Sequence, residues 1–168
     1  MKATRSPPSA TLPGRYLDLP DNAAHDPYQE REKLSEPTLC GDCGAVYRDG
    51  RWQWLAPPAN AARTRCAACH RIADRLPAGY LAIEGLFAHE HRDELLSLAR
   101  NVEAREKSEH PLQRIMAVDE QDDGKLMITT TDIHLARGLG EALRRAYKGE
   151  LNFHYNKGEY LLRVRWER

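Results

Sequence analysis

The chain has 168 residues, with 25 Lys and Arg against 25 Asp and Glu, and 41% of its residues are hydrophobic. A chain of this length holds one modest core or two small units, which excludes a large multidomain enzyme. Equal numbers of acidic and basic side chains remove the compositional argument for a nucleic-acid partner, so any contact with a polyanion must be local. Because no apolar run has membrane-spanning length and no secretory signal is present, we expect a soluble, cytoplasmic protein with reduced thiols and no membrane partner.

Proline is frequent at the start of the chain. Residues 1–36 contain five prolines and few apolar residues, so little there offsets the entropy of ordering, and we predict a disordered, proline-rich arm. Tyr16, Leu17 and Leu19 are candidate anchors for a protein partner, and a plain solvated tail is the alternative. A short helix is predicted from Tyr28 to Leu34.

All four cysteines lie within residues 37–80, as the pairs Cys40/Cys43 and Cys66/Cys69. Each pair has the form C-x2-C, in which the two-residue gap lets both thiolates reach one ion. The separation of the pairs is close to that of a four-thiolate zinc ribbon, and Zn²⁺ tolerates all-thiolate tetrahedral ligation. Metal binding would also supply the folding energy that this core-poor segment lacks. We therefore expect one structural Zn²⁺ per chain.

Other uses of the cysteines stay open at this point. The run from Cys66 to His70 also spells the C-x-x-C-H pattern of haem attachment, but haem would leave the first pair unexplained and would require export. An iron–sulfur cluster and a dithiol redox pair are further alternatives. A catalytic zinc is not expected, because four cysteine ligands close the coordination shell.

Candidates for catalysis are missing from the sequence. The run from His89 to Glu94 matches neither H-E-x-x-H nor its inverse, and its carboxylates suit the start of a helix. Gly138-Leu139-Gly140 does not follow a strand as a phosphate loop would, and no serine stands in a nucleophile elbow. We therefore expect no catalytic residue, no small-molecule substrate and no enzymatic activity.

Residues 81–168 have the pattern of a small α+β domain. Apolar residues spaced at i, i+3, i+4 and i+7 predict a first helix from His89 to Ser108. A second helix is predicted from Ile133 to Lys148, with Asp132 or Thr131 as its N-cap and a glycine directly after its last residue.

Two hairpins complete this domain. The first joins strands predicted from Arg114 to Asp119 and from Lys125 to Thr131, and the second joins Leu151 to Tyr155 with Glu159 to Trp166. In the last strand, apolar side chains alternate with arginines, so we expect one face to be buried and the other exposed. The predicted fold is α+β: a four-Cys zinc ribbon followed by a small α-β-β-α-β-β domain, after a disordered N-terminal arm.

Local basic surfaces are the candidate sites for RNA. Arginine forks bind phosphate, and flat aromatic rings stack with unpaired bases, so a mixture of the two suits RNA. The alternative is an ordinary solvated surface, with Trp52 or Trp54 packed beneath the zinc site. The candidate RNA-binding residues lie between the cysteine pairs, on the second helix and on the last strand: Arg51, Trp52, Trp54, Arg137, Arg144, Arg145, Lys148, Arg163 and Arg165.

Several stretches carry a family resemblance. They include Glu36-Pro37-Thr38-Leu39-Cys40, Gly50-Arg51-Trp52-Gln53-Trp54, Cys69-His70-Arg71-Ile72-Ala73-Asp74 and the run from Thr129 to Arg137. Residues 26–168 resemble a family of small, largely uncharacterised bacterial zinc-ribbon proteins. They are also distantly similar to the N-terminal region of the nonsense-mediated-decay-protein-three family, the export adaptor of the large ribosomal subunit, although that family carries more Cys pairs. The resemblance implies contact with the ribosome or ribosomal RNA and a structural zinc on the four cysteines.

The sequence therefore predicts a non-enzymatic, zinc-stabilised protein that associates with the ribosome or with structured RNA in the cytoplasm, with stress as one setting. An alternative is a protein-interaction adaptor that docks through its N-terminal arm or by adding a strand at a sheet edge. A second alternative is a thiol and zinc redox sensor.

Overall fold

The computed structural model describes residues 25–168. The first 24 residues of the predicted arm, with the candidate anchors Tyr16, Leu17 and Leu19, lie outside the described residues. From residue 25 onward the chain forms four helices and two sheets, which confirms the predicted α+β class. No helix in this range is long and apolar enough to cross a membrane.

The smaller sheet surrounds the first cysteine pair. Its four strands are β1 (Thr38–Cys40), β2 (Val46–Arg48), β3 (Arg51–Gln53) and β4 (Ala62–Thr64). They lie in the order β3-β2-β1-β4, and β1 and β4 run parallel. Helix α1 (Ala67–Asp74) follows β4, with Cys66 as its N-cap and Cys69 in its first turn.

The larger sheet has five strands and contains the main core. These strands are β5 (Gly79–Glu84), β6 (Ile115–Glu120), β7 (Leu126–Thr130), β8 (Glu150–Tyr155) and β9 (Leu162–Glu167). Their order is β6-β7-β5-β9-β8, with β5 parallel to β9 and the other neighbours antiparallel. The helices of this part are α2 (Leu86–Glu90), α3 (Arg92–Glu109) and α4 (Ile133–Tyr147).

Helices α3 and α4 cover one face of this sheet. Leu81 and Ile83 of β5 are fully buried on that face, as are Leu135 and Leu139 of α4. Trp166 of β9 is also fully buried. Because burying one large apolar side chain contributes about 1.5–3 kcal/mol, this layer supplies most of the hydrophobic stabilisation of the chain.

Several predicted elements are present and two boundaries differ. Both predicted hairpins form, as β6–β7 and β8–β9. The first long helix begins at Arg92 rather than at His89, which belongs to the separate short helix α2. The central strand β5 was not predicted, and it begins before the domain boundary placed after residue 80.

Asp132 is the N-cap of α4, for which Asp132 and Thr131 were the two predicted candidates. Its Oδ1 accepts hydrogen bonds from the backbone N–H groups of His134 at 2.7 Å and Leu135 at 3.2 Å. Thr131 has a different role, because its hydroxyl donates to the carbonyl of Leu112 at 2.6 Å and accepts from the backbone N–H of Arg114 at 2.9 Å.

The short helix predicted from Tyr28 to Leu34 does not form, and the chain there follows turns and bends. Contacts with Arg71 of α1 determine the path of this segment instead. The Arg71 guanidinium is buried, pairs with the carboxylate of Asp26, and lies over the Tyr28 ring at 4.5 Å and the Tyr160 ring at 5.6 Å. This ion pair attaches the residues before β1 to α1 and to the loop that precedes β9.

The two glycines of α4 provide a matched test of the packing between α4 and the sheet. A Cβ on Gly140 would lie 2.7 Å from Cγ1 of Val164 and 2.8 Å from Cδ1 of Leu151, whereas a Cβ on Gly138 would meet nothing within 4 Å. We expect Gly140→Ala to lower the free energy of unfolding by about 1–3 kcal/mol through overpacking. Gly138→Ala should raise it by up to about 1 kcal/mol, because alanine loses less conformational entropy in a helix. Urea unfolding measures both, and equal effects would contradict this packing.

Candidate metal centre

The four cysteines form one cluster of unbridged thiols. All four Sγ atoms lie within 4.8 Å of one another, and none is in a disulfide. The Sγ atoms of Cys40 and Cys69 are 3.8 Å apart, and those of Cys43 and Cys66 are also 3.8 Å apart. Sulfur atoms bound at about 2.3 Å around one tetrahedral ion are separated by about 3.8 Å. The structure thus brings the four predicted ligands together at the spacing that a single metal ion requires.

The first pair is held by a tight turn at the end of β1. The backbone N–H of Cys40 donates to the carbonyl of Ala45 at 2.8 Å, and the N–H of Gly44 donates to the carbonyl of Cys40 at 3.0 Å. Gly44 has φ +79°, a conformation that residues with a Cβ rarely adopt. This turn directs Cys40 and Cys43 to the same side of the chain.

The second pair stands at the start of a helix instead of in a second strand turn. Cys66 is the N-cap of α1, and Cys69 lies in its first turn. The parallel pairing of β1 with β4 places Cys40 opposite Thr64, two residues before Cys66. The backbone N–H of Cys66 donates to Sγ of Cys40 at 3.3 Å. The positive end of the helix dipole favours thiolates at this position.

Arg114 also belongs to this centre, and sequence analysis missed it. Its Nη1 lies 3.4 Å from Sγ of Cys69, and its Nη2 lies 3.7 Å from Sγ of Cys66. Nε donates to the carbonyl of Pro111 at 2.7 Å, which fixes the guanidinium in place. The residue is only 8% exposed, although it precedes β6 of the other sheet. Nothing in the local sequence distinguishes this arginine, because the thiols that it contacts lie 45 and 48 residues away.

The electrostatics of the cluster follow from burial and from short contacts between sulfurs. The hydrogen bond with Cys66 lowers the pKa of Cys43 to about 4, while the same contact together with burial raises the pKa of Cys66. Burial raises the pKa of Cys69. Burial alone would lower the pKa of Arg114, but its bonds to Cys69 and Cys43 outweigh this effect and raise it. Arg114 therefore stays charged and offsets part of the negative charge of the thiolates.

The cluster is largely closed to water. Cys40, Cys66 and Cys69 are buried, and only Cys43 is half-buried. Trp52 of β3 and Leu112, which follows α3, pack against the cysteines. Four cysteine ligands around one ion would leave no open coordination position, which is the ligand arrangement of a structural metal site.

The aromatic candidates for RNA binding lie near this centre and are partly engaged. Trp52 is half-buried and contacts Tyr47 edge to face, with ring centroids 5.6 Å apart. Trp54 is 40% exposed, and its Nε1 donates to the carbonyl of Lys107 at 2.7 Å. Arg51 is exposed and lies directly opposite Arg48 in the β2–β3 pair.

The four basic candidates at α4 divide into two groups. Arg137 is half-buried, pairs with Glu141 at 3.0 Å and lies over the Phe153 ring at 5.4 Å. Arg144, Arg145 and Lys148 are exposed at the C-terminal end of the helix. These three side chains make no ion pair with residues of the part of the chain that the structure describes.

The two arginines of β9 face away from α4, as predicted. Arg165 pairs with Glu84 at 2.8 Å and with Glu167 at 2.6 Å, whereas Nη1 of Arg163 donates to Oδ1 of Asn156 at 3.0 Å. The nine candidates thus lie on or just after β3, at two places along α4 and on the face of the larger sheet opposite α4. The structure does not bring them together as one surface.

Comparisons of this chain with protein-family models, with curated proteins and with solved structures give no match.

Removing the Arg114 guanidinium should weaken metal retention. In Arg114→Met the buried thiolates lose their cationic partner, and loss of such an outer-shell contact typically lowers metal affinity about 10- to 100-fold. Competition between the folded protein and a chelator for Zn²⁺ measures this change. Arg105→Met, at an exposed arginine of α3, is the control and should bind Zn²⁺ like the wild type. Equal affinity of the two variants would contradict a role for Arg114 at the centre.

Proposed function

We propose that the protein is a non-enzymatic, cytoplasmic RNA-associated protein, with the ribosome as its main partner, and that one structural Zn²⁺ stabilises it. The observation that supports RNA association best is the group formed by Arg144, Arg145 and Lys148, which is called the α4 basic end below. These residues are exposed and have no carboxylate partner among residues 25–168.

Zinc is the metal that fits the thiolate cluster best. It accepts four thiolates in tetrahedral geometry and has no redox chemistry, which suits a buried structural centre. Sulfur separations of 3.8 Å fit four ligands on one ion. An iron–sulfur cluster places more than one iron between its thiolates and suits these separations less well. When bound, the ion would fix both cysteine pairs and the start of α1 in one geometry.

The α4 basic end is suited to contact with phosphates. Two other basic candidates are neutralised within the chain, since Arg137 pairs with Glu141 and Arg165 pairs with Glu84 and Glu167. Cations at the end of a helix also complement its dipole, which contributes only about 0.3–1 kcal/mol. Three adjacent unpaired cations concentrate positive potential, which attracts a polyanion in a salt-dependent manner.

The choice of the ribosome rests on the resemblance to the family of the large-subunit export adaptor. The neutral net charge of the chain requires that this contact be specific, because a balanced protein binds polyanions weakly unless a shaped surface meets a structured RNA. A role under stress is part of this proposal.

Co-sedimentation with ribosomes tests this function. At low salt the wild type should sediment with ribosomal particles and should dissociate as the salt concentration rises. The charge-reversal variant Arg144→Glu/Arg145→Glu should remain at the top of the gradient. Arg105→Glu/Lys107→Glu on α3 makes the same change of charge elsewhere and should sediment like the wild type. Wild-type protein that stays free at low salt, in growing and in starved cells, would contradict the proposal.

A protein adaptor is the second candidate, and the edges of the larger sheet favour it. Within residues 25–168, β8 pairs only with β9 and β6 pairs only with β7, so each presents one unpaired backbone edge. An extended peptide of a partner can add a strand at such an edge. Partners captured by the full chain that survive nuclease and high salt would favour this function over RNA association.

A further inference from the structure

Among residues 25–168, no helix packs on one face of the larger sheet. Helix α4 packs on the other face, against β5, β7, β8 and β9. Strand register places one set of side chains together on the free face, because residues directly opposite each other point to the same side. Tyr80 of β5 stands between Thr129 of β7 and Arg163 of β9, and Arg163 stands opposite His154 of β8. We call the face of the sheet that carries these side chains the open face.

The connectivity of this part is that of a split β-α-β unit. Strand β5 leads through α3 to the hairpin β6–β7, and α4 then leads through β8 to β9, which lies beside β5. Sheets of this connectivity recur in unrelated functions, so the connectivity alone is only an analogy. RNA-recognition modules with four-stranded sheets stack unpaired bases on aromatic side chains of the sheet. Tyr80 is an aromatic residue on the central strand of this sheet.

The open face contains a shallow hollow of about 380 Å³. Its lining includes Tyr80, Ala82 and Met127, and Ala82 stands directly opposite Met127 in the β5–β7 pair. Asn152 and His154 contribute polar groups on the side of β8. A flat ring, a flexible apolar side chain and a few hydrogen-bonding groups are the features that hold one aromatic ligand.

Charge is distributed unevenly along the open face. Arg165 is held by Glu84 and Glu167, so that end of the face is neutralised. Arg163 has only the neutral Asn156 as a side-chain hydrogen-bond partner, and its guanidinium lies 5.6 Å from the centroid of the Tyr80 ring. The Arg163 guanidinium therefore lies over the Tyr80 ring, and a cation together with an aromatic ring favours an aromatic ligand that carries an anionic group.

We propose that the Tyr80–Arg163 end of the open face binds one unpaired nucleotide of single-stranded RNA. The base stacks on Tyr80 beside Met127, and the Arg163 guanidinium binds the phosphate. Asn152 and His154 face the edge of the base. The site deepens the proposed RNA association and rests on it, but it lies on the face of the sheet opposite the α4 basic end. Bases within a duplex are already stacked and paired, so the site selects single strands.

Fluorescence anisotropy with a labelled single-stranded RNA tests the site, using the full chain loaded with Zn²⁺. Because stacking on one aromatic ring is worth about 1–3 kcal/mol per base, Tyr80→Ala should weaken binding roughly 10- to 100-fold. Tyr80→Phe keeps the ring and should bind like the wild type. Arg163→Ala should weaken binding and reduce the slope of log affinity against log salt by about 1. Arg105→Ala removes an exposed arginine of α3 that lies outside the open face and should change affinity less than twofold.

Three outcomes would overturn the site. The first is that Tyr80→Ala and Arg163→Ala bind the single-stranded RNA with wild-type affinity. The second is that the wild type binds a duplex of the same sequence equally well. The third is that the wild type is a dimer and that Tyr80→Ala dissociates this dimer. If Tyr80→Ala fails to retain Zn²⁺ or to fold, Arg163→Ala decides the question. Loss of binding only in Arg144→Glu/Arg145→Glu would refute this site and leave the proposed function intact. Wild-type protein that neither binds the single-stranded RNA nor sediments with ribosomes would refute both the site and the proposed function.

Discussion

The contact between the Arg114 guanidinium and the cysteine cluster joins the two sheets. Arg114 precedes β6, its backbone N–H donates to Thr131, and its Nη atoms reach Cys66 and Cys69. A buried guanidinium is costly without anions, and buried thiolates are costly without cations. Each side of the molecule therefore supplies the charge that the other needs. Loss of the metal ion would alter the charge around Arg114 and so affect the larger sheet as well as the smaller one.

The neutral net charge of the chain is an average over separate surfaces. The α4 basic end and Arg163 are free, whereas Arg137, Arg165 and Arg71 are neutralised by nearby carboxylates. An evenly basic protein would bind any polyanion, whereas in this chain some basic side chains are paired with carboxylates and others are not. The proposed function follows from that arrangement: the α4 basic end provides salt-dependent contacts to phosphate, and the open face provides selectivity for unpaired nucleotides.

Local patterns in the sequence were sufficient for some elements and insufficient for others. Three kinds of feature depend on residues close in the sequence: the two C-x2-C pairs, the two hairpins and the Asp132 cap. The structure contains all of them. Strand β5 was missed because both strands that it pairs with, β7 and β9, lie far along the chain and no hairpin turn adjoins it. The helix predicted from Tyr28 to Leu34 was wrong, since tertiary contacts of this segment with Arg71 decide its path. The role of Arg114 depends entirely on tertiary structure.

The zinc content and the zinc K-edge X-ray absorption spectrum of the purified chain test the four-thiolate centre most directly. The account predicts one zinc per chain with four sulfur neighbours at about 2.3 Å. It also predicts that Cys40→Ser/Cys43→Ser loses the metal and reduces hydrogen-exchange protection at Arg114 and in β6, beyond the smaller sheet. Iron in place of zinc, nitrogen or oxygen ligands in the spectrum, or unchanged protection of β6 after metal loss would contradict it.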